Sequence, residues 1–280
     1  MNNLISVIVT TYNWPEALKA SLDSLLVQTD NHFEILIADD GSNITTKNLI
    51  DSFTSNVSNI NVRHIYHEDR GFRAGTIRNK SVAAAQGDYL IFLDGDCVVL
   101  PSFIQRHRQL AELGYFVPGN RVLVCNSYTN TILTRPIALH SQDLFFFFWH
   151  WLNRDFNRFT PLIHIASSFH RYRNPKRWNK AMTCNLAMWK NDFLHVNGFD
   201  QLFEGWGFED SDLIIRLIHS GIMRKEGRFA VPVLHLWHKQ NDRSKHDENY
   251  QRLMDRVNDP SFIRATEGID TYLSSDSKPD

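Results

Sequence analysis

The sequence of 280 residues predicts an α/β protein, with a mixed, mainly parallel sheet flanked by helices in a single domain. Apolar, β-branched segments alternate with segments of helical periodicity through the first hundred residues, which is the pattern of strand–helix–strand units. The strand-like segments are largely apolar, as expected for strands that are buried on both faces. Three of them end in polar or acidic residues, and the ligands of such sheets bind at the carboxyl ends of the strands.

The elements of the first half follow from local patterns. An apolar run at 4–12 predicts the first strand, and Pro15 opens a helix in which leucines recur at helical spacing. Strands and helices then alternate, with strands at 33–42, 61–67 and 88–96 and helices at 45–54 and 74–87. The last of these helices ends at Gly87, a residue type that is favoured at helix C-termini.

The second half is less regular. The patterns predict a helix at 102–113, a strand at 121–128, an apolar segment at 182–189, a helix inside 205–222, a strand at 228–238 and a helix at 246–257. Gly221 follows the apolar face of the helix inside 205–222 and is expected to cap it. Pro232 predicts an edge strand or a bulge, because proline cannot donate a hydrogen bond to a neighbouring strand.

The composition argues against several classes of protein. A formal net charge of −1 is unlike that of a general nucleic-acid binder, which carries a basic excess. Cys97, Cys125 and Cys184 form neither a metal motif nor an even set of disulfides, which favours a reducing, cytoplasmic location. No apolar run approaches the roughly 20 residues that span a bilayer. The first residues lack the pattern of a secretory signal and are interpreted as the approach to the first strand.

Asp94-Gly95-Asp96 closes the strand at 88–96 and is the first candidate site. Side chains two residues apart in a strand fall on the same side, so the two carboxylates can converge on one ligand. Gly95 permits a close approach of the backbone. Hard divalent cations prefer such oxygen ligands and often share them with substrate phosphates. A solvated acidic turn is the alternative for the tripeptide alone.

Two further segments suit a nucleotide. Asp39 and Asp40, at the end of the second strand, can accept hydrogen bonds from a base or from ribose hydroxyls, and a solvated turn is the alternative. Arg70, Arg73 and Arg78 lie near the start of the helix at 74–87, where a helix N-terminus and guanidinium groups suit an anionic diphosphate. Ordinary solvated helix-start chemistry is the alternative there.

The segment 204–212, EGWGFEDSD, combines an aromatic ring with several carboxylates. Trp206, between two glycines, suits the flat face of a sugar ring. Glu209, Asp210 and Asp212 fall in the first turn of a helix, where the helix dipole stabilises negative charge. One of these carboxylates could deprotonate an attacking hydroxyl group. Acidic first turns are also routine in helices that carry no site.

His235 and His238, in the segment HLWH, are candidate ligands for a metal ion held by Asp96. A given histidine is more often a surface or capping residue than a metal ligand. A cation at Asp96 that needs a further ligand would favour the second interpretation.

Five segments occur in the order found in family 2 glycosyltransferases of the GT-A fold: SVIVTTYN, EILIADDGS, GFRAGTIRN, DYLIFLDGD and GWGFEDSD. The segment NGFDQLFEGWGFEDSDLIIRL also resembles the acceptor-side module of β-1,4-galactosyltransferases, polypeptide GalNAc-transferases and bacterial chondroitin-type polymerases. The resemblance covers residues 4–128 and 181–240. Each motif is weak to moderate alone, and five in the same order argue against chance.

The resemblance implies a metal-dependent, inverting transfer of a sugar from a UDP-sugar to a hydroxyl of a glycan or lipid-linked acceptor, in the synthesis of surface polysaccharide or lipopolysaccharide. Asp96 would bind Mn²⁺ or Mg²⁺ with one late histidine, His238 in preference to His235. Asp94 would hold hydroxyls of the ribose or of the donor sugar. Asp210 would be the general base, and Glu209 would form a hydrogen bond to the acceptor, which Trp206 would also contact.

The resemblance also implies a donor side. The residues on this side would contact the uracil, the ribose or the departing UDP. They are Thr11, Tyr12, Asp39, Asp40, Arg73 and Arg78. This sequence departs from the relatives at Phe208, which stands where they carry the second glycine of WGGED. A phenylalanine there should narrow the acceptor pocket.

Four regions follow from the resemblance: a nucleotide-sugar-binding half (1–128), a variable aromatic and basic insert (129–180), an acceptor and catalytic half (181–240) and a C-terminal tail (241–280). The insert has no counterpart in the family pattern. Its aromatic run, LFFFFWHWL, and the basic stretch that follows predict a peripheral membrane-surface contact through 144–180. Aromatic core packing with a solvated basic loop is the alternative.

Two other functions compete with this interpretation. A nucleotide-sugar-binding protein without catalysis would lack one of the acids at 94, 96, 209 or 210, and all four are present. A nucleotidyltransferase on a related scaffold would carry a glycine-rich, basic loop after the first strand, and TTYNWPEA is not such a loop.

Overall fold

The computed structural model describes residues 3–135, 137–166, 169–239 and 243–273. The strands are β1 (Ile5–Thr11), β2 (Phe33–Asp39), β3 (Asn61–Tyr66), β4 (Tyr89–Asp94), β5 (Cys97–Val99), β6 (Tyr115–Pro118), β7 (Asn120–Leu123), β8 (Asn185–Trp189), β9 (Met223–Arg224) and β10 (Pro232–His235). The α-helices are α1 (Pro15–Leu26), α2 (Ile44–Asn56), α3 (Ala74–Ala84), α4 (Phe103–Leu110), α5 (Asn126–Thr134), α6 (Leu144–Leu152), α7 (Lys190–His195), α8 (Glu209–His219) and α9 (His246–Asn258).

The main sheet has seven strands in the order β3-β2-β1-β4-β8-β6-β9. The first four of these are parallel to one another, whereas β8 runs antiparallel to both β4 and β6. The expected mixed, mainly parallel sheet is therefore confirmed. Because β8 is inserted between β4 and β6, the regions 1–128 and 181–240 share one sheet and do not form separate structural units.

Two apolar layers cover the main sheet. Leu18, Leu22 and Leu25 of α1 are fully buried on one face, as their spacing predicts. On the other face, α3 packs against β1 and β2, and its Ile77 shares a fully buried apolar cluster with Leu213 of α8. Each such side chain contributes about 1.5–3 kcal/mol by its removal from water.

A second sheet of three strands has the order β5-β10-β7. Its central strand, β10, is antiparallel to β5 and parallel to β7, so the prediction of an edge strand at Pro232 was wrong. Pro232 is the first residue of β10, a position that tolerates proline. The register pairs His235 with Cys97, directly after Asp96.

Two further segments differ from the sequence-based expectation. The strand predicted at 121–128 ends at Leu123, Val124 forms an isolated antiparallel bridge with Phe156, and α5 begins at Asn126. The aromatic run at 144–152 forms α6, and only Phe147 in it is buried. Most rings of this run therefore lie outside the core. The structure describes no helix that is long and apolar enough to cross a membrane.

Candidate active site

The candidate site lies where β1, β2 and β4 end. Parallel register places Thr11 beside Asp39 and Thr10 beside Asp94, so the polar ends of these strands meet at one edge of the sheet. The chain turns there through Gly95, whose N–H donates to the carbonyl oxygen of Thr10 at 2.7 Å. A Cβ atom at Gly95 would lie 3.0 Å from the same oxygen, so a larger residue between the two acids would require a small local shift.

Asp96 faces two histidines, His235 at the end of β10 and His238 just after it. One carboxylate oxygen lies 3.6 Å from Nε2 of His235, and the other lies 3.5 Å from Nε2 of His238. The two imidazole rings are 5.3 Å apart. The structure thus brings both candidate histidines to the same carboxylate, although the sequence argument ranked one above the other.

The hydrogen bonds of these histidines decide which nitrogen is free. Nδ1 of His235 lies 2.9 Å from the carbonyl oxygen of Leu236, and Nδ1 of His238 lies 2.8 Å from that of Lys239. A carbonyl can only accept, so in the neutral imidazole each Nδ1 carries the proton and each Nε2 presents a lone pair to Asp96. Acceptors that converge on a carboxylate suit a cation, and a carbonyl partner on the other nitrogen is typical of metal-binding histidines. The residues therefore fit a divalent metal ion.

Cys97 also lies within this cluster, and the sequence argument did not assign it to the site. One ligand atom each from Asp96, Cys97 and His235 lie within 4.8 Å of one another. Burial raises the pKa of the Cys97 thiol well above its ordinary value, and the adjacent Cys184 adds to the shift. Without a cation the thiol therefore stays protonated, whereas the carboxylate and the two imidazoles already present acceptor atoms.

Arg78 connects the end of β4 to the start of α8. Its Nη2 donates to Asp94 at 3.0 Å and its Nε donates to Thr10 at 3.0 Å. Nη1 lies 3.8 Å from Glu209 and 3.9 Å from Asp210, and it has no hydrogen-bond partner among the described residues. Thr10 and Asp94 therefore hold the guanidinium group inside the site, and the predicted contact of Arg78 with a diphosphate stays a prediction.

Asp210 is oriented by Thr183, a residue that the sequence argument missed. The N–H of Thr183 donates to one carboxylate oxygen at 3.0 Å, and its hydroxyl donates to the other at 2.8 Å. Burial raises the pKa of Asp210, while the Arg78 charge and the hydrogen bonds from Thr183 oppose the shift. A carboxylate held in this way has the orientation and raised basicity of a general base.

Glu209 differs from Asp210 because no side chain holds it by a hydrogen bond in the described part of the chain. Burial raises the pKa of Glu209 to about 8, the nearby charge of Asp210 adds to the shift, and Arg78 opposes it. The two neighbouring acids thus have different environments, since Thr183 holds Asp210 and backbone N–H groups of Gly207 and Glu209 contact the Glu209 carboxylate.

The loop before α8 has an unusual backbone. Gly205, Gly207 and Phe208 all have positive φ, at 71°, 121° and 71°. Glycine adopts such angles freely, but a phenylalanine there is strained. The Phe208 ring packs on His246 and Tyr250, at centroid distances of 5.0 and 5.4 Å. This packing offsets the strain and closes one side of the loop.

Trp206 is partly buried, whereas its position between glycines suggested an exposed ring. The guanidinium group of Arg243 lies 4.9 Å from the centroid of the indole ring, a cation–π contact. One face of the indole is therefore covered by a cation.

The acids at the end of β2 are buried and already paired. Asp39 accepts from the N–H of Ser42 and lies 3.0 Å from Nε2 of His64. Burial raises its pKa, but these contacts outweigh burial, and the net pKa is below the ordinary value. Asp40 contacts Nε2 of His67 at 2.6 Å and accepts from the N–H of Arg73 at 2.9 Å. Both carboxylates hold the surrounding loops in place, and their contact with a base or ribose stays a prediction.

The accessible groups near these acids belong to Tyr12 and to a loop that follows β3. Tyr12 is 51% exposed, and its hydroxyl donates to Asp69 at 2.9 Å. Thr11 is buried beside it, and its carbonyl accepts from the N–H of Asp40. A cavity of about 380 Å³ opens close by, lined by Tyr66, His67, Glu68, Arg70, Arg73 and Lys80. Sequence patterns could not identify His67 or Asp69, because neither lies in a recognisable motif.

Two family models match the sequence. The model described as glycosyl transferase family 2 matches residues 6–188, and the model described as the N-terminal domain of galactosyltransferase matches residues 163–238. Validoxylamine A glucosyltransferase of Streptomyces hygroscopicus subsp. jinggangensis is 31% identical over 226 residues, which cover 78% of this chain and 52% of that protein. Chondroitin synthase of Escherichia coli is 29% identical over 236 residues, or 78% of this chain and 32% of that protein. The chain thus spans about half of the first relative and a third of the second.

Two solved structures resemble the fold. A mannosyltransferase from Pyrobaculum calidifontis, in complex with GDP-mannose and Mn²⁺, superposes with a TM-score of 0.59 at 17% identity, covering 91% of this chain and 63% of that one. TarS 1–349 of Staphylococcus aureus, in complex with UDP, superposes with a TM-score of 0.60 at 13% identity, covering 96% and 68%. At these identities the likeness concerns the fold.

Proposed function

The chain belongs to glycosyltransferase family 2 and has the GT-A fold, and on that premise we propose that it transfers a sugar from a UDP-sugar to a hydroxyl group of a glycan or lipid-linked acceptor. The observation that carries the proposal is the junction at Arg78. Its guanidinium group contacts Asp94 at 3.0 Å on the donor side and lies 3.9 Å from Asp210 on the acceptor side. A displacement reaction requires the donor and the base that activates the acceptor to lie close together, and Arg78 contacts both sides.

The donor end is the edge where β1, β2 and β4 finish. The exposed ring of Tyr12 would wall the uracil, and Asp94 would accept hydrogen bonds from hydroxyls of the ribose or the donor sugar. Asp69 and Arg73, beside Tyr12 and the 380 Å³ cavity, offer further polar contacts for the nucleotide. The UDP seen with a structural neighbour supports a uridine nucleotide, and GDP-mannose in the other neighbour is the competing donor class.

Asp96, His235 and His238 would hold a divalent cation, which when bound supplies Lewis-acid stabilisation of the diphosphate charge. Two imidazole nitrogens in the set favour Mn²⁺ over Mg²⁺, since Mg²⁺ prefers oxygen ligands. The neighbour that contains Mn²⁺ is consistent with this choice. His238 is the more accessible ligand, because its side chain is 40% exposed and that of His235 is 9% exposed.

Asp210 would act as the general base. Its carboxylate would take the proton of the acceptor hydroxyl as the acceptor oxygen forms a bond to the anomeric carbon of the donor. The bond between that carbon and the diphosphate oxygen breaks, and its electron pair leaves with UDP. A single displacement of this kind inverts the anomeric configuration. Glu209 and Trp206 would bind the acceptor beside the base, in a pocket narrowed by Phe208.

The proposed pathway is the synthesis of a surface polysaccharide or lipopolysaccharide, for which the similarity to a chondroitin synthase is the support. The cysteines at 97, 125 and 184 are free thiols, which fits a cytoplasmic enzyme. In this scheme the regions 1–128 and 181–240 supply the donor and acceptor sides of one site.

The test is UDP release from a panel of UDP-sugars, with GDP-mannose included, in the presence and absence of Mn²⁺. We expect turnover of one donor that requires Mn²⁺, loss of turnover in Asp96→Ala, and no change in the exposed control Asp247→Asn. Asp210→Asn should retain UDP and Mn²⁺ binding in calorimetry and lose transfer at least about 100-fold, the usual contribution of a general base. Transfer that persists in Asp210→Asn would remove the assignment of Asp210 as the base. Failure to release UDP from any donor, with or without Mn²⁺, would refute the proposed reaction.

The two histidines are tested separately by Mn²⁺ titration. We expect His238→Ala to weaken Mn²⁺ binding in the presence of UDP more than His235→Ala does, because the more exposed ligand can meet a metal bound to diphosphate. The reverse order would make His235 the principal ligand.

A further inference from the structure

The helix α6, LFFFFWHWL, presents an apolar surface to the outside of the molecule. Six of its nine residues are exposed: Leu144, Phe145, Phe148, Trp149, Trp151 and Leu152. At 100° per residue they occupy one continuous face of roughly 160°. Exposed apolar patches of this kind mark an interaction site, since a surface helix normally turns polar residues outward.

The opposite face of α6 is firmly attached to the protein. Phe147 is 1% exposed and packs against Phe156 at 5.7 Å between ring centroids. His150 stacks on Tyr128 at 4.5 Å, and its Nδ1 lies 2.8 Å from a carboxylate oxygen of Asp155. The helix also has a capped start, where the Asp143 side chain accepts from the N–H of Phe146. The exposed face is therefore held outward by specific contacts.

The segment that begins with α6 is strongly basic. The segment 144–180 contains seven lysines or arginines and one aspartate, a formal net charge of +6 in a chain whose total is −1. Six of these cations are exposed: Arg154, Arg158, Arg173, Lys176, Arg177 and Lys180. Within the described residues, none of the six forms a salt bridge with a carboxylate. They remain available to an anionic partner.

Aromatic rings and guanidinium groups are neighbours at two places in the insert. Phe159, next to Arg158, packs against Phe148 at 5.4 Å and against Trp151 at 6.2 Å. Further along the segment, Phe169 is 76% exposed and carries Arg173 over its ring at 5.2 Å. Exposed aromatic rings thus alternate with guanidinium groups over the insert.

We propose that the face of α6, with the cations of 154–180, binds the surface of an anionic lipid bilayer. Tryptophan and phenylalanine favour the headgroup–acyl boundary, and each nearby lysine or arginine strengthens binding to an anionic surface about fivefold. Neither signal anchors a protein stably alone, and this insert carries both.

Bilayer binding would also bear on the acceptor, and this consequence rests on the proposed function. Phe147 shares an apolar cluster with Leu236, whose N–H donates to the carbonyl oxygen of Asp96 at 2.9 Å. The segment with His235 and His238 is thus joined through packed side chains to α6. If α6 is bound to a bilayer, the part of the site that contains His235 and His238 lies near the lipid surface. This position suits a lipid-linked acceptor.

The test is co-sedimentation of the full chain with vesicles, without donor or metal. We expect binding to vesicles of phosphatidylcholine mixed with phosphatidylglycerol, little binding to phosphatidylcholine alone, and a loss of binding at high salt. Phe145→Ser/Trp149→Ser should weaken binding at least about tenfold, because these two rings are among the most exposed on α6. Arg158→Gln/Arg173→Gln should weaken it about 25-fold.

Matched controls separate the surface from general effects. Leu113→Ser removes a 68% exposed apolar side chain elsewhere, and Lys19→Gln/Lys47→Gln removes two exposed cations elsewhere, so both should bind as the parent does. Circular dichroism checks that each variant is folded. Vesicle binding needs no catalysis, so a failure of the transfer reaction leaves it measurable.

Three results would overturn the proposal: no binding to anionic vesicles, equal binding of parent and Phe145→Ser/Trp149→Ser, or equal binding to neutral vesicles. Self-association in sedimentation velocity that this double variant abolishes, without vesicle binding, would instead assign the face to a second copy of the chain.

Discussion

Removing the charge of Asp212 should destabilise the protein strongly, although this residue lies outside the proposed chemistry. Asp212 and Arg216 are both fully buried and one turn apart in α8. One oxygen of Asp212 accepts from Nε and Nη2 of Arg216 at 2.9 and 2.7 Å. Nη1 of Arg216 donates to the carbonyl oxygen of Val196 at 2.6 Å. Asp212→Asn would leave a buried guanidinium group without its counter-charge.

The expected loss is about 3–5 kcal/mol in the free energy of unfolding, the cost of breaking a buried ion pair from one side. A domain of this kind has about 5–15 kcal/mol in total, so the variant should unfold at a much lower urea concentration. The measurement is urea unfolding followed by circular dichroism and tryptophan fluorescence, with the midpoint compared at an unchanged slope.

A double variant separates the charge from the packing. Asp212→Leu/Arg216→Met replaces both ions by apolar groups, so it should recover most of the stability that Asp212→Asn loses. The exposed control Asp247→Asn should change stability by less than about 0.5 kcal/mol. A loss below about 1 kcal/mol in Asp212→Asn, or a double variant less stable than the single one, would refute the argument from burial.

Three other substitutions test separate features. Burial lowers the pKa of His107 to about 3, so the unfolded chain binds a proton that the folded chain does not between that value and about 6.5. Stability should therefore fall as the pH drops, by about 2 kcal/mol between pH 6.5 and 5, and unfolding curves of His107→Leu should lack this loss. Gly41→Ala places a Cβ atom 2.5 Å from Cα of Asp69, whereas Gly114→Ala has a similar positive φ and no neighbour within 4 Å, so thermal unfolding should show at least about 1 kcal/mol more loss at Gly41. Thr183→Val removes the hydroxyl bond to Asp210, and we expect kcat to fall about tenfold or more while the Kd of UDP is unchanged, since a hydrogen bond to a charged group contributes about 1.5–3 kcal/mol. Equal losses at the two glycines, a pH dependence that His107→Leu retains, or an unchanged kcat would each contradict the corresponding reasoning.

The central strands could be predicted from the sequence because burial on both faces demands a continuous apolar run. Val7, Leu36 and Ile91 are fully buried in neighbouring parallel strands, and each lies in a run of mainly apolar residues. The polar residues at the strand ends follow from the same rule, since parallel register brings those ends to one edge.

Contacts between distant segments could not be predicted in this way. Thr183 reaches Asp210 only because β8 runs antiparallel to β4 and brings the preceding turn to the start of α8. The pairing of Asp39 with His64 depends on β3 lying next to β2, so the carboxylate that looked available in the sequence is buried. Local periodicity contains no information about which strand becomes the neighbour of another.

The aromatic insert shows the same division. Its residues alone determined that LFFFFWHWL is too apolar for an ordinary surface and too short to span a bilayer. Whether those rings fill a core or face outward was decided by the tertiary structure. Phe147, His150 and Asp155 form the contacts that hold the helix, and Phe145 and Trp149 remain more than half exposed. The sequence therefore determined which chemical groups this chain contains. The three-dimensional packing determined which of those side chains stabilise the fold and which remain available to a ligand.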